Sequence, residues 1–126
     1  MILAVRADKP TAELYLLSGK GCVIHKDTWV ADRQLGHDLL VRIQNFVHSS
    51  GVKTEELGGI VVYSGSGSFT GLRISTTVAN AMAYSLGIKV AVSSGVDWLN
   101  RASADLRQAK LGVYQAPTYE RPPNIS

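Results

Sequence analysis

Residues suited to chemistry are densest in the run Gly65-Ser66-Gly67-Ser68-Phe69-Thr70-Gly71-Leu72-Arg73-Ile74. Glycine amides ahead of a helix suit anions, so a phosphate cradle is the first chemistry to weigh. The spacing argues against both familiar versions. A Walker A loop places Lys and then Ser or Thr after its last glycine, whereas Leu72 and Arg73 follow Gly71. A dinucleotide fingerprint needs glycine where Thr70 stands. A structural tight turn explains one or two of the glycines, but not the whole run.

The remaining candidates are weaker. His25, His37 and His48 show no close metal-ligand pairing. A nucleophile elbow would read Gly-x-Ser-x-Gly, and both Gly65-Ser66-Gly67 and Gly67-Ser68-Phe69 miss it. No nucleophile–base pair stands out, so no catalytic residue, cofactor or metal is expected.

The glycine run lies between an apolar strand and a helix. Ile60 to Tyr63 is rich in β-branched residues and reads as a buried strand, and Ser64 to Ser68 reads as a turn. From Leu72 to Leu86 there is neither Gly nor Pro, and Gly87 stands where a glycine ends a helix. Lys89 to Val92 is a second apolar strand, completing a right-handed βαβ crossover with parallel strands.

Upstream, Ile2 to Val5, Ala12 to Leu17 and Cys22 to Trp29 read as strands separated by the turns Asp8–Thr11 and Ser18–Gly21, an antiparallel meander. Leu39, Leu40, Ile43, Phe46 and Val47 recur at helical spacing between Gly36 and Ser50. Thr54 to Leu57 reads as one helical turn with Thr54 as its N-cap, and Val96 to Leu106 as a last amphipathic helix.

Composition bounds the classes. The 126 residues make one domain; 45% are apolar and 18% charged, as in a folded soluble protein. The 13 basic and 10 acidic residues are scattered, so the net charge of +3 does not by itself indicate nucleic acid. Cys22 is alone and no stretch is long and apolar enough to span a membrane. The N-terminus lacks the pattern of a signal peptide, so the cytoplasm is the expected compartment.

The string GSGSFTGLRI, continuing into an Ala-rich helix and then LGIKVAVSS, resembles the signature of the TsaB (YeaZ-like) family. Members usually carry proline where Ser66 stands. The resemblance implies an α/β fold: one ribonuclease-H-like (actin-like ATPase) domain with a mixed sheet in the order βββαβαβα. That domain would span residues 1–107, with 108–126 an extended Pro-containing tail. Pro117-Thr118-Tyr119-Glu120-Arg121 resembles the Pro-x-Tyr-x-Arg element near the end of full-length members. The second domain that normally precedes that element is missing, which implies a shortened member.

The implied role is a noncatalytic scaffold of the tRNA threonylcarbamoyladenosine synthase. It would bind and stabilise a TsaD-like catalytic subunit, with a TsaE-like ATPase as a further partner, tRNA reached only through the complex, and a homodimer formed when alone. The alternative is a stand-alone actin-like ATPase or kinase-like enzyme. Such enzymes carry Asp at the end of the first strand; here that residue is Arg6, with Asp8 two positions on. A cation cannot ligate Mg²⁺.

Members bind TsaD through a bundle made by the first two helices of each protein. On the helix from Leu72 to Leu86, Ser75, Ala79 and Ala83 lie at i, i+4 and i+8 and form a shallow groove. The expected interface is Leu39, Ile43, Leu72, Ser75, Thr76, Ala79, Asn80 and Ala83, beside a signature loop of Gly65, Gly67, Ser68, Phe69, Thr70, Gly71 and Arg73. Packing of the same groove against the chain's own first helix is the competing account.

Overall fold

The structure is a computed structural model describing residues 1–31, 34–65 and 69–116; the side chain of Phe69 is outside that description. The elements are β1 (Ile2–Arg6), β2 (Thr11–Leu17), β3 (Val23–Val30), α1 (Leu35–Ser49), a 3-10 turn (Thr54–Glu56), β4 (Gly59–Tyr63), α2 (Phe69–Leu86), β5 (Lys89–Ser93) and α3 (Trp98–Gln108). The five strands form one sheet in the order β3-β2-β1-β4-β5. β1, β2 and β3 pair antiparallel, while β4 runs parallel to both β1 and β5. The expected mixed sheet and element order are those of the structure.

Side-chain alternation divides the core in two. Leu3, Val5, Leu14, Leu16, Ile60, Val62 and Val90 point to the face covered by α1 and α2. Ile2, Ala4, Tyr15, Leu17, Val61, Tyr63 and Ala91 point to the other face, where Trp98, Ala102 and Leu106 of α3 close over them. Every residue of β4 is buried, as a parallel strand covered on both faces requires. Trp98 anchors the α3 side, its ring edge-on to Tyr15 at 5.8 Å and Tyr63 at 5.6 Å.

The helix ends follow from their glycines. After α1, Gly51 takes φ +77°, and the N–H groups of Gly51 and Val52 donate to the carbonyls of His48 and Val47 at 3.0 and 3.2 Å. After α2, Gly87 takes φ +67° and Ile88 N–H donates to Ala83 O at 3.0 Å. Both are the left-handed ending that only glycine adopts at little cost.

Strand ends shift by a residue or so from the sequence reading, and three helix boundaries differ for local reasons. α2 begins at Phe69 rather than Leu72, so Thr70 and Gly71 belong to its first turn. The expected N-cap Thr54 is itself inside the 3-10 turn; Lys53 precedes it, and its N–H is held by the Glu56 carboxylate at 3.1 Å. α3 starts at Trp98 because Gly95, at φ +89°, still turns the chain.

Gly71 sits in α2 directly on the backbone beyond β1: a Cβ there would overlap the carbonyl oxygen of Ala7. Backbone cannot swing aside as a side chain does, so Gly71→Ala must push the helix off the strand end. We expect a loss of about 1–3 kcal/mol in denaturant unfolding. Gly19→Ala, where a Cβ would meet nothing within 4 Å, should change stability by no more than about 0.5 kcal/mol. Equal stability of the two variants would show that the close approach carries no constraint.

Candidate functional site

Two regions bear on function: the C-terminal ends of the parallel strands, and the outer surface of α1 and α2. At the strand ends, Arg6 closes β1 and Asp8 follows two residues on, placing both side chains on one side. Arg6 Nε donates to Asp8 Oδ1 at 2.7 Å and Nη2 to Oδ2 at 3.2 Å, a two-pronged pair with Asp8 8% exposed. The guanidinium lies 3.9 Å over the Tyr63 ring at the end of β4. Its bond to Asp8 raises the Arg6 pKa above its ordinary value, against the opposing effect of burial.

Glu13 is the register partner of Arg6 on β2. It accepts a hydrogen bond from the Tyr15 hydroxyl and pairs with Lys9 Nζ at 3.0 Å. Burial alone would push the Glu13 carboxyl up, but the bonds from Tyr15 and Lys9 outweigh it and hold the pKa below its ordinary value.

The sequence resemblance places a metal-binding carboxylate at the end of β1, where this chain has Arg6, with Asp8 the next carboxylate along the chain. In this chain both oxygens of Asp8 are taken by Arg6, a cation. The residues present do not fit a divalent metal, which needs oxygen donors free to coordinate it. Among the described residues no group of three or more His, Cys, Asp or Glu is placed to hold a metal ion. No described helix is long and apolar enough to cross a membrane.

Of the signature loop, Gly65 lies beside the Tyr63 hydroxyl and Gly71 beneath the backbone after β1, while Thr70 and Arg73 are exposed. Gly67, Ser68 and the Phe69 side chain lie outside the described residues, as does the element Pro117–Arg121.

The interface predicted from the small-residue spacing needs correcting. Leu39, Ile43, Leu72, Ser75, Thr76, Ala79 and Ala83 are all buried within the chain, none more than 2% exposed. The groove of Ser75, Ala79 and Ala83 is internal. Its small side chains bring α2 close to its own core, where Ala79 and Ala83 join Leu3, Val5 and Ile60. The hydroxyls are satisfied by the helix itself: Ser75 Oγ donates to Gly71 O at 2.9 Å, and Thr76 Oγ1 to Leu72 O at 2.7 Å. Helical spacing identifies which residues share a face, and small hydroxylated residues suit an inner face as well as an outer one.

The outward surface is the adjacent stripe. A groove of about 500 Å³ runs between the helices, lined by Leu40 and Gln44 of α1, Thr54, and Thr77, Val78, Ala81, Met82, Ser85 and Leu86 of α2. Beyond Thr77 and Val78 it continues into a hollow of about 340 Å³ bounded by Gly36, Thr70, Arg73 and Ile74. Gly36 faces Ile74 across the helix pair, where a Cβ would make ordinary contact with Ile74 Cδ1 at 3.5 Å. Arg73 is the one charged residue in all of α2. The larger groove contains none, and Leu40 is 44% exposed. A neutral, shallow, partly apolar surface across two packed helices suits a third and fourth helix better than a small polar ligand.

Asn80, the eighth expected interface residue, is half-buried and bonded to the backbone of Gln115. Sequence reasoning missed both this contact and the Arg6–Asp8 pair. The i, i+2 spacing at a strand end was a signal for the pair; nothing in the sequence announced a partner for Asn80 so far along the chain.

Residues 29–108 match the family model TsaD, described as tRNA N6-adenosine threonylcarbamoyltransferase. Among solved structures the chain is similar to YeaZ from Pseudomonas aeruginosa, with TM-score 0.68 and 24% identity over 85% of this chain and 48% of that one. A second Pseudomonas aeruginosa structure, titled an uncharacterized protein with similarity to peptidase YEAZ, matches with the same TM-score, identity and coverage. The fold is therefore YeaZ-like and ribonuclease-H-like, and the chain spans about half the length of these neighbours. No curated protein matches the sequence.

Two outcomes are expected from these placements. Ala79→Glu would bury an unpaired charge in the core and should unfold the domain, a cost of several kcal/mol. Ala81→Glu, two residues away but exposed, should leave the melting curve nearly unchanged; circular dichroism distinguishes them, and equal behaviour would reverse the assignment of inner and outer faces.

Alkaline stability provides a separate check. Burial, reinforced by the Glu13 carboxylate, raises the Tyr15 phenol well above its ordinary value of 10.0. A group raised in the folded state contributes fully below its unfolded pKa, and that contribution falls as pH rises beyond it. Stability should decline above about pH 10, and Tyr15→Phe should flatten the decline. A variant whose alkaline profile parallels that of the wild type would exclude Tyr15 as its source.

Proposed function

Because the chain belongs to the TsaD family, we propose that it acts as a noncatalytic subunit of a tRNA threonylcarbamoyladenosine synthase, binding and stabilising a TsaD-like catalytic subunit. The observation carrying this reading is the uncharged stripe shared by α1 and α2, formed by Leu40, Gln44, Thr77, Val78, Ala81 and Ser85. The docking surface is this outer stripe, with the small residues beneath it holding the two helices in place. A TsaE-like ATPase would be a further partner, tRNA would be met through the complex, and two copies would pair through the same stripe when the partner is absent.

The Arg6–Asp8 pair supports assigning the chemistry to the partner. An actin-like enzyme working alone would need its first-strand carboxylate for a metal–nucleotide, and here that carboxylate neutralises a cation.

The test is co-purification with the TsaD-like subunit encoded in the same genome. Wild type should bind, and Ala81→Glu should weaken binding at least tenfold (about 1.4 kcal/mol) while remaining folded. Ala104→Glu, on the exposed side of α3, should bind as wild type does. Failure of the wild type to bind, or undiminished binding by Ala81→Glu, would refute the assignment.

A further inference from the structure

We propose that α2 and the outer edge of β5 form a site that reads the backbone of an extended segment, and that residues 114–116 of this same chain are its resident occupant, fastened as a strap. The geometry at Asn80 is specific to backbone. Its Nδ2 donates to the carbonyl of Gln115 at 2.8 Å, and its Oδ1 accepts the N–H of Gln115 at 3.0 Å. One carboxamide thus offers a single residue both bonds that a neighbouring strand would offer.

Two further contacts hold the segment. Gln115 Nε2 donates to the carbonyl of Val90, in β5, at 3.3 Å. β5 is a terminal strand of the sheet, so this bond falls on the strand that, among the described residues, no sixth strand covers. One turn along α2 from Asn80, the Tyr84 ring meets Tyr114 with centroids 6.2 Å apart.

The path to this site is built into the chain. α3 lies on one face of the sheet and α2 on the other, so the segment between them must pass β5. After α3, Val113 N–H donates to Lys110 O at 3.2 Å and Gly112 adopts φ +83°, turning the backbone toward α2. An edge strand left open pairs readily with strands of other molecules. The strap covers that edge without becoming a strand: Asn80 grips one residue and leaves the rest of β5's ladder unbuilt. Because the grip is on backbone, it accepts any residue at position 115 except proline, which has no N–H.

Proton exchange of the full-length chain, followed by nuclear magnetic resonance, tests the clamp. The Gln115 amide should exchange at least tenfold more slowly than in an unstructured peptide of the same sequence. Asn80→Leu should abolish that protection. The amide of residue 115 in Gln115→Ala should remain protected, because only the bond to Val90 is lost. Gln115→Pro lies outside the folded core, so it should release Tyr114 from Tyr84 without unfolding the domain. With pairing through the helix stripe blocked by Ala81→Glu, light scattering should then show concentration-dependent association through the uncovered edge that Ala81→Glu alone does not show. An unprotected wild-type amide, protection that survives Asn80→Leu, or loss of protection at this amide in Gln115→Ala would each overturn the backbone reading. An Ala81→Glu/Gln115→Pro chain that associates no more than Ala81→Glu alone at high concentration would overturn the shielding of β5.

Discussion

The seating of α2 on the chain that leaves β1 is the constraint on which the rest of the molecule depends. At Gly71 the helix meets the Ala7 backbone with no room for a side chain between them. That contact sets the height of α2 over the sheet, and so where Ala79 and Ala83 enter the core. It also sets the axis along which α1 packs, and therefore the orientation of the groove between the helices. The signature glycine is thus a packing residue whose effect reaches the groove between α1 and α2 through a rigid helix. A side chain's width of displacement at residue 71 would be carried along the helix toward Ser85.

At the strand ends the chain's own side chains occupy the position where an open α/β sheet would present a ligand site. In an open α/β sheet, ligands gather outside the carboxyl ends of the parallel strands. Here that space is held by a self-contained set of charges. Arg6 satisfies Asp8 and lies on Tyr63, while Glu13 satisfies Tyr15 and Lys9. Each ionised group has an opposite or hydrogen-bonding neighbour, so the desolvation that burial imposes is offset locally. The same residues brace the aromatic cluster under Trp98, tying the polar end of the sheet to the packing of α3.

Much of this was legible in the sequence. The element order followed from glycine punctuation and from the change of apolar period between 2 and 3.6 residues. The identity of the fold followed from a ten-residue string that composition alone would never have interpreted. The inward and outward faces of α2 were not legible. Its apolar arc is wide and almost free of charge, so periodicity fixed which residues are neighbours without fixing which neighbours face the sheet. Ser75 and Thr76 increased the ambiguity, since their hydroxyls bond back to their own helix and behave in the core as small apolar groups. The helix start at Phe69 was obscured by Gly71, a poor helix former retained for its lack of a side chain. Asn80 could not be read at all, because its partner is fixed by how the chain returns after α3.

The placement of β1 at the centre of the sheet has a consequence for how the chain acquires its shape. On one side β1 meets β2 through a short turn, with Arg6 opposite Glu13. On the other it must wait for β4, whose Gly59 pairs with Ile2 from the far side of the meander and of α1. Local pairings of the first kind close rapidly; those of the second kind carry the entropy of a long loop and set the pace of folding. The meander is therefore an early template, and the docking of β4 is the slower event that commits the chain. Until it occurs, one side of β1 offers unsatisfied backbone to any passing strand. A nascent chain is most exposed to misassociation between synthesis of β3 and synthesis of β4, an interval filled by α1 and the 3-10 turn.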